Sequence, residues 1–230
     1  MNNSNKEIII DGKMLNNNSS NCFRGISTAL GGNLVRFLTD YKSGCPGAYQ
    51  EIIELLFRKK YGAALSHVRI ECNPDKNGIL SSYEHSGFMI AADALKINSD
   101  ITIEIFFSDN GKVDCGEKYN HYKNILGTVY EKYSMKANYI SLGSGSDSEW
   151  IKYLKDRLKI EKTSNYDFSK IKIAVSDIFA EEMTENEILR KSVDAIYVNG
   201  KSDENINYLN KNFQKEIWYR GEIATCNVPE

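Results

Sequence analysis

Short apolar runs alternate along the chain with longer stretches whose apolar residues recur at helical spacing. Tyr139 to Leu142 reads as a short strand. The loop Gly143-Ser144-Gly145-Ser146 follows, and then a helix whose apolar stripe is Trp150, Ile151, Leu154 and Leu158. Leu65 to Glu71 alternates strictly, with Val68 and Ile70 on one face and His67, Arg69 and Glu71 on the other. In a barrel with helices outside, the oily face meets the helices and Arg69 and Glu71 point into the interior near its mouth. On an exposed edge strand the same ionic face is solvated. Period alone leaves both open.

The rest of the chain repeats the unit. Glu7 to Ile10 reads as a lead-in strand closed by Asp11-Gly12, with a polar loop from Asn16 to Asn21. A strand from Phe23 to Ser27 runs into Ala29-Leu30-Gly31-Gly32, a tight strand-to-helix turn. Pro46 opens a helix that buries Ile52, Ile53, Leu55, Leu56 and Phe57. Helices near 83–97, 117–134, 182–191 and 204–213 alternate with strands at 101–107, 139–142, 171–176, 195–198 and 216–219. Seven strand-plus-helix starts counted from Phe23 predict a parallel sheet with helical crossovers. A flat doubly wound sheet can use seven strands, but no dinucleotide fingerprint follows the first one. A (β/α) barrel without its last unit fits as well, since 230 residues is close to its usual length of about 250.

Composition narrows the function. With 29 basic and 31 acidic side chains the net charge is -2, so no overall field draws in nucleic acid or an anionic membrane. The five cysteines, Cys22, Cys45, Cys72, Cys115 and Cys226, are widely spaced with no CxxC pair, and read as reduced thiols. His67, His85 and His121 are too scattered for a metal cluster, so neither metal nor cofactor is expected. The first residues carry no basic region followed by a long apolar run, and no segment has the length of a bilayer span, so the chain as written reads as soluble and cytoplasmic. The loop after Leu142 offers amides and hydroxyls, with charge only at Asp147 and Glu149. Neither it nor the Gly31-Gly32 turn matches a phosphate-binding pattern.

Phe23-Arg24-Gly25-Ile26 with Gly31-Gly32 resembles the FDGIG…GGG opening of the galactosylceramidases, glycoside hydrolase family 59. Tyr61-Gly62-Ala63-Ala64-Leu65 followed by Val68-Arg69-Ile70-Glu71 is similar to the family's FGASL…KVEIGGD segment. Tyr139-Ile140 with Ile151 to Leu154, Ile171 to Asp177, Val193 to Ile196, and Ile217-Trp218 resemble its later strand and helix segments in the same order. The resemblance implies a (β/α)8 TIM-type barrel that hydrolyses β-galactosides, chiefly of sphingolipids, with retention. For this chain the implied fold is α/β, with seven β/α units recognisable and the eighth missing or supplied otherwise. The implied division is a lead-in strand and polar loop over residues 1–22 and the barrel over 23–230. Family members are typically secreted or lysosomal, and the start of this chain has no signal to match.

Retaining hydrolysis needs two carboxylates about 5 Å apart, one as acid/base and one as nucleophile, flanking an oxocarbenium-like transition state. The family carries them in WNE and SSE motifs at the ends of strands four and seven. Laid over this chain, YIGIWNE puts the Trp at Gly143, the Asn at Ser144 and the acid/base at Gly145. LWSSED puts the nucleophile at Gly221. The family's His-Tyr after strand six falls on Asn199-Gly200, and its Trp after strand three is Phe107.

These departures point to a galactosylceramidase-like domain that has lost hydrolysis and serves as a carbohydrate- or glycolipid-binding or interaction domain, with Ser144, Asn199 and Trp218 as candidate ligand contacts. A divergent retaining β-galactosidase using a displaced pair, Asp147 as acid and Glu222 as nucleophile, is the alternative. Asp147 or Ser146 also suits a helix N-cap, and Glu222 suits a solvated loop. A third reading is a structural remnant or a fragment of a longer chain. Without an eighth strand the sheet keeps an open edge, which favours a homo-oligomer or a partner segment that completes the barrel.

Overall fold

The computed structural model describes residues 25–73, 79–108, 113–162, 166–199 and 203–220. Seven parallel strands lie side by side in sequence order: β1 (Ser27–Leu30), β2 (His67–Cys72), β3 (Thr102–Phe107), β4 (Tyr139–Leu142), β5 (Lys172–Ser176), β6 (Ala195–Asn199) and β7 (Glu216–Arg220). Two helices, α1 (Gly32–Gly44) and α2 (Pro46–Phe57), join β1 to β2. Single helices α3 (Ser82–Ile97), α4 (Cys115–Tyr133) and α5 (Ser148–Ile160) fill the next three crossovers. The pair α6 (Ala180–Glu185) and α7 (Glu187–Ser192) precedes β6, and α8 (Asp203–Asn212) precedes β7.

A doubly wound sheet reverses its strand order at a switch point. Here the order never reverses, and β7 reaches back across the concave face: Arg220 of β7 bonds Glu104 of β3, and the Trp218 ring lies 4.9 Å from that of His67 on β2. The sheet therefore curls as a TIM-like barrel whose eighth unit is missing among the described residues, with β1 and β7 as its edges. No helix among the described residues is long and apolar enough to cross a membrane.

The alternation left open by the sequence is resolved by the curl. Val68, Ile70 and Cys72 are fully buried under the helices, as are Ile103, Ile105 and Phe107 of β3 and Ile140 and Leu142 of β4. Their strand neighbours His67, Arg69, Glu104, Phe106, Tyr139 and Ser141 face the interior. Parallel strands covered on both faces usually read as continuous apolar runs. Here the inner face is polar, which is why strict alternation survives in the sequence.

Three local differences from the sequence reading have simple causes. β1 begins at Ser27 rather than Phe23, because Leu30 is the residue that buries against the helices, whereas Ile26 is 57% exposed. Phe23 and Arg24, like Glu7 to Ile10, lie outside the described residues. The helix α1 is added between Gly32 and Gly44; its N-cap, Gly31, offers no side-chain cap to announce it. The single helix expected near 182–191 is two, divided at Asn186, whose side chain caps the second.

The Tyr61-to-Leu65 segment shows why a glycine is placed before β2. After α2 the chain folds back so that the Ala63 and Leu65 amides donate to the Leu55 and Leu56 carbonyls, each at 2.8 Å. A Cβ on Gly62 would collide with the Leu55 carbonyl, and Ala64 is already held at φ 49°. Gly62→Ala is expected to lower stability by about 1–3 kcal/mol because the added methyl must displace the Leu55 carbonyl, read as an earlier urea unfolding midpoint; an unchanged midpoint would show that the turn relaxes freely.

Candidate functional site

The interior is organised by Glu104, which is 2% exposed and sits in mid-strand on β3. One carboxylate oxygen accepts from the Ser141 hydroxyl on β4 and from the Arg220 guanidinium on β7. The other lies 2.8 Å from Nε2 of His67 on β2. Burial alone would raise the carboxyl's pKa. The hydrogen bond from His67, the charges of Arg220 and His67 and the Ser141 hydroxyl outweigh it, so Glu104 is held below the usual carboxylate range. Three of the roughly four acceptor sites of this carboxylate are taken by side chains of the wall itself, which ties β3 to β2, β4 and β7.

A second polar node lies toward the amino ends of the strands. The Tyr139 hydroxyl donates to Glu216 at 2.8 Å, and Lys172 reaches both Tyr139 at 3.0 Å and Glu216 at 3.2 Å. The bond to Tyr139, helped by Glu216 against the effect of burial, raises the Lys172 ammonium above its ordinary value. Trp218 stands above this node with its ring edge-on to Tyr139 at 4.6 Å and to His67 at 4.9 Å. Its position, one alternation below Arg220, makes it part of the interior packing.

The carboxyl ends of the strands form the mouth, where a barrel places its chemistry. At the end of β4, Gly143 to Ser146 make a tight turn in which the Ser146 amide donates to the Gly143 carbonyl. Ser144 and Gly145 are exposed there, and neither carries a carboxylate. Asp147 follows as the N-cap of α5, accepting from the Trp150 amide at 2.7 Å. Asp177 after β5 accepts from Ser176 at 3.1 Å. Asn199 is exposed at the end of β6. Gly221, Glu222 and Gly200 lie outside the described residues. The structure thus brings Ser144, Gly145 and Asn199 to strand ends, puts Trp218 deeper, and gives Asp147 a capping partner.

Two arginines complete the mouth. The Arg69 guanidinium stacks on the Phe106 ring at 3.9 Å, and that of Arg220 stacks on Tyr197 at 3.3 Å and lies 5.4 Å from Phe106. The Tyr197 hydroxyl is anchored on the Leu142 carbonyl at 2.5 Å. Arg69 meets Glu71 only at 3.5 Å. Among the described residues, no group of three or more His, Cys, Asp or Glu side chains is placed to hold a metal ion.

Glu104, Arg220, Tyr139, Lys172 and Glu216 belong to no sequence motif that marks them as site residues, and His67 stands out only as part of the ionic face of its alternating strand. The signal that exposes them is a charged or polar residue at the inward alternate of an otherwise apolar strand, as in TIEIFF or EIWYR.

A family model described as "Glycosyl hydrolase family 59" matches residues 23–227. Among solved structures, an endo-β1,6-glucanase is similar in fold, with a TM-score of 0.67 at 13% identity. The match covers 85% of this chain and 56% of that one, so the chain spans little more than half of the glucanase's length. No curated protein matches by sequence.

Removing one partner from a buried ion-paired network leaves the others uncompensated, so Glu104→Ala is expected to cost about 3–5 kcal/mol. Because the folded carboxyl titrates lower than an unfolded one, its contribution is complete above about pH 4.3 and is lost as pH falls through the folded value. Unfolding free energies measured from neutral pH into the acid range should therefore fall more steeply for the parent than for Glu104→Gln. Parallel curves would remove Glu104 as the source.

Proposed function

Because the chain belongs to glycosyl hydrolase family 59, we propose that its barrel is a non-hydrolysing sugar-binding domain, taking a β-galactoside or glycolipid headgroup at the mouth. The observation that carries this reading is the β4 end, where Gly145 stands at the position the family's acid/base would occupy. The nearby Asp147 carboxylate is spent on the α5 N-terminus. A general acid must reach the glycosidic oxygen and hold a proton near neutral pH. The Asp147 carboxylate is instead turned onto the Trp150 amide of its own helix.

The inner wall supports the binding half of the reading. Sugar recognition uses directional hydrogen bonds and flat apolar faces in a cleft. Ser144 and Asn199, exposed at the strand ends, offer the first, and the half-buried Phe106 and Trp218 on the inner wall offer the second. Hydrolysis by the pair Asp147 and Glu222 would require Asp147 to leave its cap.

The test is incubation with an activated aryl β-galactoside, alone and with azide or formate, which substitute for a missing nucleophile. No phenol release under any condition, together with a methyl β-galactoside-dependent rise in melting temperature, is the expected result. Release that disappears in Asp147→Asn and in Glu222→Gln would instead establish a divergent retaining hydrolase. Asn is as good an N-cap as Asp, so loss of activity in Asp147→Asn would not reflect a damaged helix. Absence of both release and sugar binding would leave a structural domain.

A further inference from the structure

Most exposed apolar side chains of the outer layer stand singly. Leu55 on α2, Ile160 on α5, Ile188 on α7 and Tyr208 on α8 have no second large exposed apolar residue on their own helix among the described residues, which is ordinary for a protein surface. The helix α1 differs. Leu34 is 39% exposed and Phe37 52%, and the ring of Tyr41, half-buried against the core, lies 4.7 Å from that of Phe37. Positions 34, 37 and 41 recur at i, i+3 and i+7, so the three form one stripe.

Val35 and Leu38 carry the buried side of α1. Its flank toward α3 is the wall of a groove, where Val35, Arg36, Thr39 and Asp40 face Ser82, Tyr83 and Ser86. Because α3 leads from β2 to β3, the opposite flank, which carries the stripe, is turned to the free edge of β1. The charges between groove and stripe are unmatched. Lys42 pairs with Asp93 at 2.5 Å, whereas Arg36 and Asp40, both exposed and one turn apart, have no ion pair among the described residues.

The pattern is complementary to itself. Leu34 and Tyr41 are centred between Phe37 and Leu38, and Arg36 and Asp40 are centred on nearly the same point. A two-fold axis through that point lays two copies of α1 antiparallel. Phe37 then meets the Phe37 of the copy, Leu34 meets Tyr41, and Arg36 reaches Asp40 across the solvent rim, the last two contacts each made twice. We propose that this flank of α1 is the interface of a homodimer, two-fold symmetric about Phe37. A partner of another kind would need a matching stripe and matching charges of its own; a second copy carries both. The rim ion pairs add little affinity but fix the register. The same axis brings the open edge of β1 toward its copy, which shields a strand that has no outer neighbour among the described residues.

Sedimentation velocity across a wide concentration range should show monomer and dimer in equilibrium. Phe37→Glu should raise the dissociation constant about tenfold or more, with an unchanged far-UV spectrum because Phe37 is not part of the core. Arg36→Glu alone and Asp40→Arg alone set like charges opposite each other and should each weaken the dimer about threefold to tenfold, while the double reversal restores it. The thiol introduced by Phe37→Cys, followed by mass spectrometry with the exposed Cys45 as reference, should be alkylated faster as the protein is diluted. A monomer at every concentration overturns the dimer. Fast alkylation of that monomer would then show an open stripe, and slow alkylation a stripe covered by another segment of the same chain. A dimer indifferent to Phe37→Glu, or one that the double reversal fails to restore, overturns this flank as its interface.

Discussion

The barrel interior depends on one desolvated carboxylate. Glu104 draws a histidine, a serine and an arginine from three other strands onto its two oxygens. Ion pairs in low dielectric stabilise only when the remaining donors and acceptors are also met. Here the serine and histidine meet them. The network specifies more than energy: it fixes which part of β7 comes opposite β3, and so how tightly an open seven-stranded sheet curls. The Tyr139–Lys172–Glu216 node does the same nearer the amino ends of the strands, so the curl is pinned at two heights.

Much of this architecture was legible in the sequence because its periodicities are clean. Tyr139–Leu142 stands where the pattern puts it, and Pro46 opens a helix as proline at a first helical position should. The barrel rather than the flat sheet followed from a resemblance carried by short collinear motifs. The misplaced first strand shows the limit: Ser-Thr-Ala gives almost no apolar signal, and Leu30 buries only because β2 lies alongside. The unannounced α1 has the same cause, since its stability comes from packing Val35 and Leu38 rather than from a cap.

Gly145 and Asp147 could be placed on a strand-end loop from sequence, which offered Asp147 or Ser146 as the helix N-cap, and the structure has Asp147. The polar interior was not legible, because a charged residue in a strand reads equally as solvated or as paired across a cavity. Arg69 and Glu71 were caught in that ambiguity. Glu104 and Arg220 are 116 residues apart, and no local pattern reports such a pairing.

That separation also orders assembly. Every strand from β1 to β6 can be laid beside its predecessor using contacts close in sequence, the kind that form at small entropic cost. Until β7 arrives, Glu104 has a serine and a histidine but no arginine. The carboxylate at the centre of the wall therefore meets its arginine only when the last described strand is in place. A chain that stopped short of Arg220 would lack the cation that ties β7 to β3 across the interior.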